Sequence, residues 1–165
     1  MGSENIPFDA NEHGPSSEPP LVQGFIVFLE SGISQLNNLL RRFDVSRCRV
    51  LALHVTSQCG AAMVRIIVSH PEEGRIILER AGLPIADYRL VGVVLPDGVQ
   101  PLLRVYLPLI QANISVTATH VVPLTGRGKN AVLLEVDAPS RTIEILLAHG
   151  FQLIDEKMLA QESPS

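Results

Sequence analysis

The same succession of residue patterns occurs twice along the chain, and this internal repeat limits the possible folds more than any other feature. The segment Leu29–Gly32 aligns with Leu95–Gly98, and the same offset aligns His54 with His120. Further along, Pro71 aligns with Pro139 at a slightly larger offset, because the second copy has two extra residues. These fall in a Gly-rich turn, where insertions are tolerated. We therefore predict one structural unit in two copies.

Each copy follows the order strand, helix, strand, strand, helix, strand. In the first copy the apolar run Phe25–Leu29 predicts a buried strand, and the spacing of apolar residues over Ile33–Phe43 predicts a helix. A tight turn at Ser57–Gly60 joins two further strands into a hairpin. Pro71 suits the first position of the second helix, and Gly82 suits a left-handed residue at its end.

A βαββαβ unit folds through right-handed crossovers onto one antiparallel sheet. The predicted class is α+β, with two ferredoxin-like units in tandem and the helices on one face of each sheet. The predicted divisions are a disordered tail at 1–21, units at 22–88 and 89–157, and a frayed terminus at 158–165. Tyr88–Leu95 ends one copy and starts the next, either as a long shared strand or as two strands that meet within it.

The face of the sheet that the helices do not cover also needs a partner. Residues Val50–Val55 are apolar on both faces of their strand. An exposed apolar strand face promotes aggregation. We therefore expect sheet faces or edges to pair, either between the two copies or between two chains, and a homodimer is the expected assembly.

Composition excludes several classes of function. The chain has 13 basic and 17 acidic residues, a net charge of −4 and scattered Lys and Arg, which disfavours nucleic-acid binding. No apolar run reaches the ~18 residues that a spanning helix needs, and no secretory signal is visible, so a cytoplasmic protein is expected. Cys48 and Cys59 have neither CxxC nor metal-ligand spacing, which predicts reduced thiols and no metal or cofactor.

The strand-to-helix passage Val94–Val99 (VLPDGV) and the turn Ala112–Ile114 (ANI) resemble the ACT domain, a ligand-binding regulatory module. The first copy has Glu30–Gly32 in place of the usual acidic-x-Pro-Gly turn. The resemblance extends over about residues 22–157. It implies two ACT-type units, as in free-standing amino-acid sensors and in the small regulatory subunits of acetolactate synthase, which are similar in length.

The resemblance places the ligand at the first strand-to-helix turn of each unit, and the chemistry of such a turn agrees. A helix N-terminus offers unpaired N–H groups and partial positive charge to a carboxylate. An acidic side chain beside it can meet an ammonium group, and a glycine allows close approach. The candidate ligand-binding residues are Asp97, Gly98 and Val99 in the second copy, and Glu30, Ser31 and Gly32 in the first.

Other candidate sites have simpler explanations. His54 and His120 occupy equivalent strand positions, and each is a ligand contact, half of a metal pair across a dimer, or a locally satisfied strand histidine. The segment Gly126–Asn130 lacks the GxxxxGK[ST] pattern of a phosphate loop and precedes a strand. The GxSxG and HExxH motifs and a Ser/His/Asp arrangement are absent from the sequence, so no catalytic residues are expected.

The sequence therefore predicts a regulatory protein without catalytic activity that binds an amino acid or a similar small metabolite. It would act through homodimerisation or on a metabolic partner enzyme, with no nucleic-acid or membrane partner. The alternatives are a purely structural module that pairs through its sheets, a regulatory small subunit of acetolactate synthase, and an enzyme.

Overall fold

The computed structural model describes residues 20–161. The strands are β1 (Leu21–Leu29), β2 (Val50–Gln58), β3 (Ala61–Val68), β4 (Ile85–Val94), β5 (Val116–Leu124) and β6 (Lys129–Val136). The helices are α1 (Ile33–Asp44), α2 (Pro71–Arg80), α3 (Pro101–Gln111), α4 (Pro139–Ala148) and α5 (Glu156–Ala160). The strands form one sheet in the order β2-β3-β1-β4-β6-β5, and every neighbouring pair is antiparallel. The predicted α+β class and antiparallel pairing are confirmed.

Strand β4 is continuous and lies near the middle of the sheet. Residues 85–91 of β4 pair with β1 on one side of the strand, and residues 91–94 pair with β6 on its other side. Of the two alternatives, one long continuous strand is therefore the one observed, and the division of the chain between residues 88 and 89 stays a prediction. The expected last strand, Phe151–Ile154, is reduced to a single bridge from Leu153 to β4.

Strand registers in the two halves follow the alignment of the two copies read from the sequence. Val27 lies opposite Ile85, and the aligned positions Val93 and Leu153 likewise lie opposite each other. Further matched features are the bulges that follow Val50 and Val116, and the helices α2 and α4. Register depends on which face of each strand is buried, so matching apolar patterns give matching registers.

Two clusters of apolar side chains lie between the helices and one face of the sheet. In the first half, α1 and α2 bury Leu39 and Leu78 against β1 and β3. In the second half, α3 and α4 bury Leu109 and Leu146 against β4 and β6. All four helices thus cover the same face, as the sequence predicts for each half.

The opposite face of the sheet is covered within the chain. The edge strands β2 and β5 curl toward each other until some of their Cα atoms lie within 8 Å. Arg49, just before β2, donates a hydrogen bond from Nη1 to Thr125 Oγ1, just after β5. A third core, which includes Ile67 and Leu133, fills the space enclosed, and we call this surface the inner face. The expected pairing of sheet faces therefore occurs between the two halves of one chain.

Residues 158–161, the described part of the terminus expected to fray at 158–165, are held against the rest of the chain. Asp155 caps helix α5 by accepting a hydrogen bond from the Met158 amide, and Leu159 is buried in the inner core. Arg49 Nη2 also donates to the carbonyl oxygens of Leu159 and Gln161. Burial of one apolar residue and these bonds explain the difference. Residues 162–165, and most of the expected tail at 1–21, lie outside the described residues.

Candidate functional site

The turn after β1 brings the first set of candidate residues to the start of α1. Gly32 has a φ of 59°, and a Cβ at this position would lie 3.3 Å from the carbonyl oxygen of Gly60 in the β2–β3 turn. Only glycine suits this conformation and this close approach. The Ser31 amide donates to Gln35 Oε1 at 2.9 Å, and Glu30 is exposed. The turn is therefore held in place on both sides while its carboxylate remains free to move.

Glu30 borders an open cleft of about 380 Å³ at the end of β1. The cleft lies between the end of β1 and the β2–β3 hairpin. Its lining consists of Phe28, Leu29, Glu30, Thr56, Ala61, Ala62 and Met63. This is an apolar surface with one hydroxyl and one carboxylate. Such a lining can accept a small molecule that has an apolar part and a positively charged group.

The turn after β4 holds the second set of candidate residues in a different environment. The Asp97 carboxylate lies 3.6 Å from Lys129 Nζ, and the Asp97 carbonyl accepts a hydrogen bond from Arg104 Nη1 at 3.0 Å. Gly98 has a φ of 126°. The Asp97 side chain is 91% exposed and Val99 is 93% exposed, so these two residues stand on the surface instead of enclosing a cleft.

The two turns lie at opposite ends of the sheet. Glu30 follows the end of β1, which lies beside the start of β4, whereas Asp97 follows the end of β4. Ten residues of strand at ~3.3 Å each put about 30 Å between the turns. One small ligand cannot contact both sets of residues.

A group of polar side chains lies on the inner face, next to its apolar core. Arg65 Nε and Glu135 Oε2 are 3.3 Å apart and join β3 to β6. His54 lies opposite Arg65 in the register of β2 and β3. Tyr88 and His120 are each only 9% exposed, and burial raises the pKa of Tyr88 to about 12. The group links both halves of the sheet, and sequence reasoning found only its two histidines, through their equivalent positions in the repeat.

The surroundings of His120 favour its neutral form. Burial lowers its pKa below the ordinary value of 6.5, and the neighbouring His54 and Arg65 add to the effect because positive charge disfavours a second proton. Within residues 20–161, no three His, Cys, Asp or Glu side chains are grouped as ligands for a metal ion.

The two cysteines differ in environment, and both are free thiols. Cys48 is buried, and its Sγ donates a hydrogen bond to the His70 carbonyl oxygen at 3.3 Å. Burial raises the pKa of the Cys48 thiol, which keeps it protonated and unreactive. Cys59 is exposed in the β2–β3 turn with a φ of 49°.

Comparison with known proteins identifies similar folds. No family model and no curated protein matches the chain. Protein BT0572 from Bacteroides thetaiotaomicron superposes with a TM-score of 0.75 at 17% identity, over 86% of this chain and 96% of that one. The regulatory subunit of aspartate kinase from Thermus thermophilus, in its ligand-free form, superposes with a TM-score of 0.53 at 9% identity, over 79% and 93%.

No helix among the described residues is long and apolar enough to span a bilayer. At such low identities the two comparisons bear on fold alone. The protein has an α+β fold, built on one antiparallel sheet, that is shared with a regulatory subunit of an amino-acid kinase and is consistent with the ACT-like fold expected from its sequence.

Proposed function

We propose that the chain consists of two ACT-type units that share β4, and that it is a regulatory protein without catalytic activity that binds an amino acid or a similar small metabolite. Support for the two units comes from the strand registers, which repeat between aligned positions of the two copies. The observation that carries the ligand-binding role is the open cleft beside Glu30, at the turn where the resemblance places a ligand.

The cleft matches the three parts of an amino acid. Glu30 supplies a negative charge for the ammonium group. The first turn of α1 does not line the cleft but follows Glu30 closely along the chain, and it would offer N–H groups and partial positive charge to the carboxylate. Phe28 and Met63 supply an apolar wall for the side chain. A volume of about 380 Å³ is near the lower limit for small-molecule sites, which favours a ligand of amino-acid size.

Asp97, Gly98 and Val99 form the second proposed site. Lys129 lies beside the Asp97 carboxylate and would compete with an ammonium group. The surrounding surface is open, so a ligand there would bury little apolar area. We therefore rank this site below the one at Glu30, although its sequence is the better match to the ACT pattern.

Regulation would follow from a difference in ligand affinity between two conformations. Because the β1–α1 turn rests on the β2–β3 turn through Gly32 and Gly60, a ligand in the cleft would contact Glu30 of the first turn and the strand residues Thr56 and Ala61 that flank the second. The resulting change would act through a homodimer or on a metabolic partner enzyme, in the cytoplasm. A regulatory small subunit of acetolactate synthase and a purely structural module remain the alternatives.

A thermal-shift and calorimetric screen of the twenty amino acids tests this function. A ligand at one hundred times its dissociation constant should add about 2.7 kcal/mol to the free energy of unfolding. Glu30→Gln should abolish the shift, because it removes the charge that meets the ammonium group. Asp97→Asn reports on the second site, and Glu79→Gln, an exposed carboxylate on α2, is the matched control. If no amino acid stabilises the protein, the regulatory proposal is wrong and the structural module is favoured.

A further inference from the structure

The outer surface of helix α3 carries a stripe of apolar side chains that the chain itself leaves uncovered. Leu103, Leu107 and Ile110 are 51%, 52% and 58% exposed, and their spacing of four and three residues places them on one face of the helix. Leu147 on α4, which packs against α3, is 55% exposed. We call these four side chains the α3–α4 surface.

The repeat provides an internal control for this surface. The buried pair Val105 and Leu109 of α3 aligns with the buried pair Leu39 and Phe43 of α1, so the two helices have the same orientation on the sheet. The residues of the first half that correspond to the α3–α4 surface are Asn37, Arg41, Asp44 and Glu79, and all four are exposed.

At each of the four aligned sites, the first half therefore has a polar side chain and the second half has an apolar one. An ordinary solvated helix needs no such apolar stripe, as α1 demonstrates. Scattered exposed apolar residues are common on protein surfaces, whereas a contiguous apolar patch marks a binding surface. The contrast at these four sites indicates that a partner covers the second half there.

The chemistry of the surface favours a second copy of the same chain. Its four side chains carry no charge, so a symmetric contact brings no like charges together. Arg104, the charged residue of α3, donates to the Asp97 carbonyl to the side of the stripe. Two-fold symmetric dimers, in which one patch pairs with itself, are the commonest oligomers of soluble proteins.

The available area agrees with this assignment. A fully exposed Leu or Ile side chain presents on the order of 150 Å², so four half-exposed ones offer roughly 300 Å² of apolar surface per chain. A standard interface buries about 800 Å² per partner, of which about 450 Å² is apolar. The four side chains would supply the apolar centre of such an interface, and Leu102, which is 37% exposed, lies at its border.

We propose that the protein forms a two-fold symmetric dimer in which the α3–α4 surfaces of two chains pack against each other. This inference names the interface of the homodimer that the proposed function includes. The dimer itself is argued from the α3–α4 surface, and only its role in regulation rests on the proposed function. It also departs from the sequence-based expectation of sheet pairing, since the inner face is filled by the chain's own two halves.

Sedimentation equilibrium tests the interface across roughly 1–100 μM protein. The wild-type chain should have twice its monomer mass of 17.9 kDa. Leu107→Arg, which introduces the residue found at the equivalent position of α1, should weaken the dimer at least about 100-fold, because it buries a charge at the centre of the interface. Leu103→Asn, a milder change of the same kind, should weaken it about 10-fold.

The control is Ile76→Arg, which places the same charge at a half-exposed apolar residue of α2, outside the surface. It should leave the dimer intact, and circular dichroism should show every variant folded. A monomeric wild-type chain, a dimeric Leu107→Arg variant, or equal dissociation by Ile76→Arg would overturn the proposal. The amino-acid screen is repeated on Leu107→Arg as a monomer. Because the Glu30 cleft lies in the other half of the chain, loss of the dimer and loss of ligand binding can be observed independently.

Discussion

Replacing Gly92 by alanine tests whether the segment Phe151–Ile154 is an integral part of the sheet. Gly92 lies in β4, and its carbonyl oxygen accepts a hydrogen bond from the Ile154 amide at 2.9 Å. A Cβ at position 92 would overlap Ile154 Cγ1 and would lie 3.0 Å from Leu133 Cδ2. Ile154 is 1% exposed and Leu133 is fully buried, so neither side chain can turn into solvent.

The expected cost follows from these contacts. Insertion of a methyl group into a packed core costs about 1–3 kcal/mol. Displacement of the Ile154 amide would add about 0.5–1.5 kcal/mol from its hydrogen bond. We therefore expect Gly92→Ala to lower the free energy of unfolding by about 1.5–4.5 kcal/mol, which corresponds to a fall in Tm of roughly 3–18 °C.

Urea denaturation of Gly92→Ala, Ile154→Ala and the double variant measures this effect. Ile154→Ala alone should cost about 2–5 kcal/mol through the cavity it leaves. In the double variant the new methyl group occupies part of that cavity, so the loss should be smaller than the two single losses together by at least about 1 kcal/mol. Strictly additive losses, or a Gly92→Ala variant within about 0.5 kcal/mol of wild type, would refute the packing described here.

Three further predictions concern polar groups and thiols. The contribution of His120 to the free energy of unfolding should be constant above pH 6.5 and should become unfavourable as the pH drops toward the lowered pKa of His120, because the unfolded chain takes up a proton that the folded chain resists. In urea titrations at several pH values, His120→Gln should therefore reduce the dependence of stability on pH, and an unchanged dependence would contradict this prediction. Iodoacetamide should add one label to the native protein, at exposed Cys59, and should react with buried Cys48 only after unfolding. Mass spectrometry counts the labels, and two labels on the native protein would contradict the burial of Cys48. In urea denaturation, Arg49→Met should lower the free energy of unfolding by about 1–2 kcal/mol, because the hydrogen bonds of Arg49 are lost. Arg47→Met, at an exposed position, should leave it nearly unchanged, and equal decreases in the two variants would argue against this role of Arg49.

Local sequence signals predicted the elements well, since they depend on neighbouring residues. Pro71 and Pro139 stand at the first position of α2 and α4, as their fixed φ favours. Gly82, expected to end α2 in a left-handed conformation, has a φ of 69°. By contrast, burial of Leu159 within the terminus expected to fray was not predicted, because it depends on a core formed elsewhere in the chain.

The candidate site was predictable only in part. The resemblance selected the turns at Glu30 and Asp97, and Asp97 matched the ACT pattern better. The β1–α1 turn borders a cleft, because the β2–β3 hairpin lies against it and contributes Thr56 and Met63, whereas Asp97 stands exposed on the surface. Those residues are far from Glu30 along the chain, and no local pattern connects them with it.

The amino-acid sequence by itself determined the order of the elements, because that order follows from the alternation of apolar and polar residues within a few positions. Tertiary structure alone decided that β4 pairs with both β1 and β6, that the inner face closes on itself, and that Arg65 meets Glu135 near His120. The closed inner face depends on the curl of the sheet, which brings the edge strands β2 and β5 together. Curl arises from the summed twist and packing of all six strands, so it cannot be predicted from the residues of any single segment.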